Sequence, residues 1–221
     1  RYTLPATTQW VTNTSRPYHA KQGLDGKHIA LWGSHGQYFH QPTESWRWQR
    51  AKVWTTVEDL YTSSYTMPFL VPMLENAGAI VIQPRERDTQ IIEQILDDTQ
   101  AEEVQESTGL TEARHFLAPA HGADTCGWGI DDDNTLIEGE NPFQKGSYLM
   151  ASAHSKATCQ MRYTPQLPTG EYAVYVSYKT LPNSTDKACY TVVHRGQQTH
   201  FHVNQRMGAG TWVYLGTFAF D

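Results

Sequence analysis

The second half of the chain consists of short strand-like segments separated by turn residues. In the clearest of them, residues 172–179, a tyrosine or a valine occupies every second position. This period of two is typical of a strand that buries one face and exposes the other. Proline and glycine turns recur between the segments, which favours an antiparallel arrangement. The sequence therefore predicts an all-β antiparallel sandwich, jelly-roll-like, over residues 122–221, with residues 172–179 as a central strand.

The first half has a different pattern, in which a long aromatic and polar stretch separates two apolar segments. Residues 28–33 and 79–84 have the character of buried strands. Residues 45–79 are predicted to be mostly helical, with an interruption at Pro68 and Pro72. A strand, a helix and a second strand in this order imply parallel pairing, because the crossover lets both strands run in the same direction. The sequence therefore predicts an α/β segment, a partial parallel sheet with helices.

These patterns divide the chain into four predicted parts. Residues 1–27 are polar and aperiodic, and we expect an extended lead-in there. The α/β segment covers residues 28–98, an acidic connector covers residues 99–121, and the sandwich covers residues 122–221. The change of pattern predicts two structural units that divide near residues 100–120.

The overall charge excludes one class of partner. The chain has 17 Lys and Arg residues against 23 Asp and Glu residues, for a formal net charge of −6. Binding to nucleic acid needs a basic surface that neutralises phosphates, so we expect no nucleic-acid partner.

No apolar run approaches the length of a membrane-spanning helix, and the sequence predicts no membrane span. The three cysteines leave open one disulfide with a free thiol, or three buried thiols.

A histidine stands where the first predicted strand ends. His35 lies between Gly33 and Gly36, and ligand sites of open α/β sheets lie outside the carboxyl ends of the strands. Glu58 follows on the predicted helix, which can bring its carboxylate back over the strand end. Imidazole nitrogen and carboxylate oxygen are both zinc ligands, at roughly 2.0–2.2 Å from the metal. We therefore predict that His35 and Glu58 converge on one zinc ion, with their ligating atoms at most about 4 Å apart.

Each candidate residue also has a simpler interpretation. His35 can cap the strand end through a hydrogen bond without a metal, and Glu58 can stabilise the helix N-terminus through its charge. Arg85 and Arg87 in the segment "PRERD" are candidates for bidentate binding of a substrate carboxylate. The alternative for both arginines is a solvated loop.

Residues 27–88 resemble part of a known enzyme family. The segments "GKHIALWGSHG", "VEDLY" and "LENAGAIVIQPRERD" are similar to the first part of zinc-dependent N-acetylmuramoyl-L-alanine amidases. The resemblance implies that His35 and Glu58 are the first two zinc ligands. It also implies a later histidine ligand and a catalytic glutamate, and neither pattern is evident after residue 88. The catalytic residues are therefore unassigned, and one zinc ion is expected to need a ligand from outside this chain.

The second half resembles another bacterial family. The segments "NPFQKGSY", "GEYAVYVSYKTLPNSTDKACYTVVHRG" and "HFHVNQRMGAGTWVYLGTFAF" are similar to the golvesin C-terminal-like domain, over about residues 122–221. Domains of this type accompany amidase-like segments in large exported bacterial proteins, some labelled xanthan lyase. There the β-domain can interrupt the amidase-like domain. The resemblance thus implies that this chain is an N-terminal piece of a longer protein, located in the periplasm, at the cell surface or outside the cell.

The two resemblances together imply part of an exported zinc-dependent amide hydrolase that acts on cell-wall peptidoglycan. The sandwich would be its accessory domain. Zinc would lower the pKa of its bound water and polarise the amide carbonyl. The expected partners are peptidoglycan or another polysaccharide, and the remainder of the same longer protein.

Two alternatives remain open. The first is a non-catalytic surface or carbohydrate-binding protein on an amidase-like scaffold. Trp46, Trp48 and Trp54 would then form a sugar platform, whereas otherwise they pack an amphipathic helix. The second is a polysaccharide lyase of the xanthan type. A lyase needs a base beside a uronate carboxylate, often a tyrosine or histidine near arginines, and the sequence shows no compelling cluster of this kind.

Overall fold

The computed structural model describes residues 9–16, 23–33, 35–84, 87, 91–97, 100–103, 116–117, 143, 148, 150–151, 153, 155 and 160–221. The chain divides into two compact units. The first comprises Arg1–Gln9 and Arg16–Thr89, and the second comprises Trp10–Ser15 and Gln90–Asp221. Most described elements are short β-strands in small antiparallel sheets, with one helical segment.

The elements are numbered in chain order. The strands are β1 (Val11–Asn13), β2 (His28–Ala30), β3 (Gln37–His40), β4 (Ser45–Trp48), β5 (Lys52–Val53), β6 (Thr56–Val57), β7 (Ile80–Ile82), β8 (Glu102–Glu103), β9 (Phe116–Leu117), β10 (Met150–Ala151), β11 (Met161–Arg162), β12 (Gly170–Val176), β13 (Ala188–His194), β14 (Gln197–Val203) and β15 (Val213–Phe220). The helices are α1 (Glu58–Tyr65) and α2 (Val71–Asn76).

The first unit contains one parallel strand pair. β2 pairs with β7, with Ile29 opposite Val81, and the helical segment lies between these strands in sequence. Val71 of α2, Ala79 and Val81 form a buried cluster against which Leu24, Ile29, Leu31 and Leu74 pack. The predicted order of strand, helix and strand is present, but the described part of the unit has a single short parallel pair rather than a covered parallel sheet.

Residues 45–57 do not form the helix that the sequence predicts. β4, β5 and β6 occupy this stretch, and α1 begins only at Glu58. Aromatic and β-branched residues are frequent here, and such side chains lose rotamer freedom in a helix but pack well on strands. The backbone turns at Glu44 and Trp54, whose φ angles are 44° and 57°, in the left-handed region that no α-helix adopts. The apparent helical spacing of the apolar residues therefore arises from two consecutive short hairpins.

The predicted interruption of the helix at its two prolines is confirmed. Thr66–Leu70 form a wider π-type turn that contains Pro68. Such a turn accommodates a proline, whose ring clashes with the regular helical turn and whose nitrogen carries no hydrogen. α2 then begins with Pro72 in its first turn, where that N–H is not needed.

Two antiparallel sheets share a core in the second unit. One has the strand order β1–β14–β13, and the other pairs β12 with β15. Both sheets contribute to one buried cluster, formed by Val192, Phe201, Val203, Val213 and Leu215. β8 pairs with β11 and β9 with β10, also antiparallel. This arrangement agrees with an antiparallel sandwich.

The strand predicted at residues 172–179 is observed as β12, which begins two residues earlier and ends three residues earlier than predicted. Tyr172 is buried, and Val174, Val176 and Tyr178 pack against the core cluster. The predicted contacts of the inner face are therefore confirmed, whereas the predicted alternation of exposure is not seen: Ala173, Tyr175 and Ser177 are also half-buried, and the register shifts between Val174 and Tyr175. Among the described strands β12 has one neighbour, β15, so these strands show β12 at an edge rather than at the predicted central position.

The predicted lead-in contains a strand of the second unit. β1 pairs with β14, with Val11 opposite Val203. Beside it, Trp10 packs against the core cluster, and its Nε1–H donates a hydrogen bond of 2.7 Å to the Tyr178 hydroxyl. Burial raises the pKa of Tyr178, and the hydrogen bond from Trp10 opposes part of that shift. A strand of three residues is too short for a periodic pattern, and for this reason the sequence did not predict it.

Replacing Trp10 tests how much β1 contributes to the second unit. We expect Trp10→Ala to lower the free energy of unfolding by roughly 2–4 kcal/mol, because it removes a large core side chain and the donor to Tyr178. Trp54→Ala is the matched control, since Trp54 is 95% exposed, and its effect should stay within about 0.5 kcal/mol. Urea unfolding followed by circular dichroism measures both. Equal losses in the two variants would show that the Trp10 contacts do not stabilise the unit.

Candidate functional site

Three side chains meet at the base of the hairpin β3–β4. His35 lies between β2 and β3, Arg50 follows β4, and Asp59 is in the first turn of α1. Asp59 is completely buried, and its Oδ2 accepts a hydrogen bond of 3.1 Å from the backbone N–H of Arg50. Its Oδ1 lies 3.6 Å from Nδ1 of His35. One carboxylate therefore connects the helix start, the hairpin base and the segment that leaves β2.

The Oδ1 atom of Asp59 has no hydrogen-bond partner among the described residues. A buried carboxylate oxygen in this state carries a desolvation cost that proteins usually offset. The atom is close to the imidazole of His35, whose side chain is 34% exposed. A cation between this oxygen and Nδ1 of His35 would satisfy it.

The guanidinium group of Arg50 lies against the imidazole ring of His35. Nε of Arg50 is 3.1 Å from Nδ1 of His35, and Nη2 is 3.0 Å from Nε2. Arginine only donates hydrogen bonds and a neutral imidazole has one acceptor nitrogen, so one contact is a hydrogen bond and the other a close approach. In the part of the chain that the structure describes, this guanidinium forms no ion pair with a carboxylate. Arg50 is exposed and presents its positive charge to solvent.

The structure places Asp59 beside His35, whereas the predicted ligand Glu58 is exposed. Successive residues of an α-helix are rotated by about 100°, so neighbouring side chains point in different directions. The segment "VEDLY" offers both acidic residues, and the sequence did not distinguish them. No group of three or more His, Cys, Asp or Glu side chains that could hold a metal occurs among the described residues. Zinc binding by His35 and Glu58 stays a prediction.

Of the two predicted substrate-binding arginines, Arg87 lies in the described part of the chain and forms structural contacts. Arg85 lies outside the described residues. The side chain of Arg87 is 8% exposed and pairs with Glu75 of α2, and its Nη2 donates a hydrogen bond of 2.6 Å to the carbonyl of Val81 in β7. Arg87 therefore joins α2 to β7, and its contact with a substrate carboxylate stays a prediction.

A small cavity opens at the carboxyl ends of β2 and β7. Its volume is about 140 Å³, and its lining includes residues 31–33, Gln83 and Pro84, with Ser63 and Met67 from the helical segment. Pockets for drug-sized ligands usually measure roughly 300–1,000 Å³. An extended ligand would therefore bind to a surface of this unit rather than inside the cavity.

Several large aromatic side chains of the first unit are exposed. Trp46 is 66% exposed, Trp54 is 95% exposed and Trp32 is 69% exposed. Trp46 lies in β4, and Trp54 lies in the turn between β5 and β6. The interpretation that these two residues pack an amphipathic helix is therefore wrong. The sugar platform stays a prediction, now on a hairpin instead of a helix.

The contacts of Arg87 predict a structural effect that can be measured. We expect Arg87→Met to lower the free energy of unfolding by roughly 2–3 kcal/mol, because removing one partner leaves the Glu75 carboxylate partly buried and unpaired. Arg47→Met is the control, since Arg47 is exposed on β4, and it should change stability by less than about 0.5 kcal/mol. Urea unfolding gives both values. An unchanged stability in Arg87→Met would show that the contacts of Arg87 with Glu75 and Val81 do not stabilise the unit, and would leave binding as its predicted role.

Comparison with known proteins finds a match for residues 137–221 of the chain. Residues 137–221 match the model of the Golvesin C-terminal domain, which confirms that part of the resemblance. Over 75 residues the chain is 35% identical to "Xanthan lyase" of Bacillus sp. (strain GL1). This match covers 34% of the chain and 8% of the relative, so the chain spans a small part of that protein. No solved structure matches.

The match to the family model covers residues 137–221 and does not bear on residues 27–88. The resemblance of residues 27–88 to amidases stays a prediction. Within the described residues, no helix is long and apolar enough to cross a membrane. What the comparisons show is that the chain carries a domain similar to the golvesin C-terminal type and is a distant relative of part of a xanthan lyase.

Proposed function

We propose that this chain is a polysaccharide-contacting part of an exported protein, and that the exposed aromatic side chains of its first unit make the contact. Two similarities support an assignment to polysaccharides: the Golvesin C-terminal domain over residues 137–221 and the relative named xanthan lyase. The proposal includes the organisation expected from the sequence, an α/β segment followed by a jelly-roll-like sandwich.

The observation that carries the proposal is the exposure of Trp46 and Trp54, at 66% and 95%. Exposed apolar surface is unfavourable in water and marks binding surfaces when it is clustered. An aromatic ring offers a flat apolar face to the apolar face of a sugar ring, while the sugar hydroxyls stay in water. A surface of this kind suits a long polymer better than the small cavity does.

Binding to polysaccharides in native gels tests the proposal. We expect the chain to be retarded in gels that contain xanthan. Trp46→Ala should weaken the apparent affinity by about tenfold, because an exposed aromatic side chain at the centre of a contact often dominates its energy. Val193→Ala is the control, since Val193 is also apolar and 60% exposed but belongs to the second unit.

Two results would contradict the proposal. One is a wild-type chain that runs unretarded in xanthan and in dextran and does not sediment with purified peptidoglycan. The other is an equal loss in Trp46→Ala and Val193→Ala, which would indicate binding by another surface.

A second candidate function, metal-dependent amide hydrolysis on peptidoglycan, is favoured by the distance of 3.6 Å between Nδ1 of His35 and Oδ1 of Asp59. Two zinc ligands at roughly 2.0–2.2 Å from the metal are at most about 4 Å apart. Oδ1 of Asp59 is buried and has no hydrogen-bond partner among the described residues, which fits this chemistry, so this candidate has Asp59 rather than Glu58 as the second ligand. When bound, zinc would supply an activated water and polarise the amide carbonyl.

The surroundings set two conditions for such a metal site. Arg50 lies within hydrogen-bonding distance of both imidazole nitrogens, so the guanidinium must withdraw before His35 offers a lone pair to a metal. The third ligand must come from outside the described residues, because these contain no group of three suitable side chains. Two protein ligands hold zinc weakly.

Zinc binding by equilibrium dialysis tests this candidate without reference to activity. We expect the chain to bind zinc weakly, and His35→Ala and Asp59→Asn to weaken that binding by about tenfold or more. Glu58→Gln is the matched control and should bind as the wild type does. If Glu58→Gln loses zinc and Asp59→Asn keeps it, Glu58 is the ligand. If none of the three variants differs from the wild type, the site does not exist in this chain.

A further inference from the structure

We infer that one face of the hairpin β3–β4, with Arg50 at its base, binds the carboxylate-bearing sugars of an acidic polysaccharide. The inference rests on the proposed function and names the substrate class. A surface that combines aromatic rings with a guanidinium that has no carboxylate partner among the described residues recognises a polymer that carries both apolar sugar faces and carboxylates.

The register of the hairpin places these side chains on one face. Phe39 lies opposite Trp46, and Gln37 lies opposite Trp48. Opposite residues of an antiparallel pair share a face, and successive residues alternate between faces. Phe39, Trp46 and Trp48 therefore lie on the same side of the hairpin.

The cluster at the base lies just beyond the paired strands. The backbone N–H of Gln49 donates a hydrogen bond of 2.9 Å to the carbonyl of Gly36, next to the last strand pair, Gln37 and Trp48. His35 and Arg50 are one residue further on, where the chain bends, and their side chains are in contact. We take this pair to lie on the face of the aromatic residues, as continued alternation would require.

The aromatic part of the face is accessible. Phe39 is 47% exposed and Trp46 is 66% exposed. Their rings contact each other edge to face, at 5.7 Å between centroids and 69° between planes. Each ring thus limits the movement of the other, and a ligand does not have to order two free side chains before it binds.

The guanidinium of Arg50 at the base of the face is held in place. His35 contacts it at 3.0 and 3.1 Å, while Asp59 accepts the backbone N–H of Arg50 rather than its side chain. The positive charge is local, because residues 35–59 contain three Lys or Arg residues and three acidic residues, of which Asp59 is buried. A planar guanidinium that has no carboxylate partner among the described residues is suited to bidentate binding of a carboxylate.

Other occupants fit this combination less well. A neutral glycan would stack on the rings but leave Arg50 unused. An apolar protein segment would bury the guanidinium without a counter-charge, which is costly. A polyuronate satisfies both parts of the face.

Polygalacturonate and its fully methyl-esterified form are a matched pair of probes, because esterification removes the charge and keeps the backbone. We expect the full chain to bind polygalacturonate more tightly than the ester. Arg50→Gln should lose at least about tenfold in affinity for polygalacturonate, because the charge-assisted hydrogen bonds to its carboxylates are lost, and nothing for the ester. The backbone contact between Arg50 and Asp59 is kept in this variant.

Arg47→Gln is the matched control. It removes the same charge from the opposite face of the hairpin, where Arg47 pairs with Tyr38, and it should change neither affinity by more than about twofold. Phe39→Ala should weaken binding of both probes, since stacking does not depend on the carboxylate. Affinity electrophoresis at two salt concentrations measures the affinity of the wild type and of each variant for both probes.

The outcomes separate this inference from the proposed function. Equal binding of acid and ester overturns the inference but leaves polysaccharide binding in place. Equal losses in Arg50→Gln and Arg47→Gln also overturn it, because they indicate a non-specific charge effect. If neither probe, xanthan, dextran nor peptidoglycan is bound, both proposals fail.

Discussion

The buried carboxylate of Asp59 is the contact on which the geometry of the candidate surface depends. One oxygen accepts the backbone N–H of Arg50 and so fixes where the chain passes the start of α1. The other lies near His35, which in turn contacts the guanidinium of Arg50. Because the helix, the hairpin base and the segment after β2 meet at one side chain, a shift in any of them changes the position of the charge relative to the aromatic rings.

The second unit was more predictable from the sequence than the first. β12 to β15 are seven or eight residues long, which is long enough for alternation between faces to show in the sequence. The strands at residues 37–57 are two to four residues long, and no period can be recognised over so few positions. Helical and hairpin arrangements of Trp46, Val53 and Trp54 then produce the same spacing, and only tertiary pairing distinguishes them.

The candidate site was predictable in part. His35 could be found because a strand pattern leads to it and glycines flank it, which is local information. Its two neighbours could not be found in this way. Arg50 reaches His35 through the register of a hairpin, and Asp59 is distinguished from Glu58 by the rotation of the helix. The sequence showed no base beside an arginine, as a polysaccharide lyase would need, yet folding brings His35 and Arg50 into contact.

The position of β1 has a consequence for the order in which the protein folds during synthesis. β1 pairs with residues 201–203, so at about 5–20 residues per second it waits on the order of 10–40 s for its partner to be translated. The strands of the first unit pair with each other within residues 28–82. All of these partners are therefore translated much earlier than residues 201–203. The first unit can therefore fold on the ribosome while the second unit is still incomplete. A strand of three residues exposes few backbone groups during this delay, which limits the risk of wrong pairing in the nascent chain.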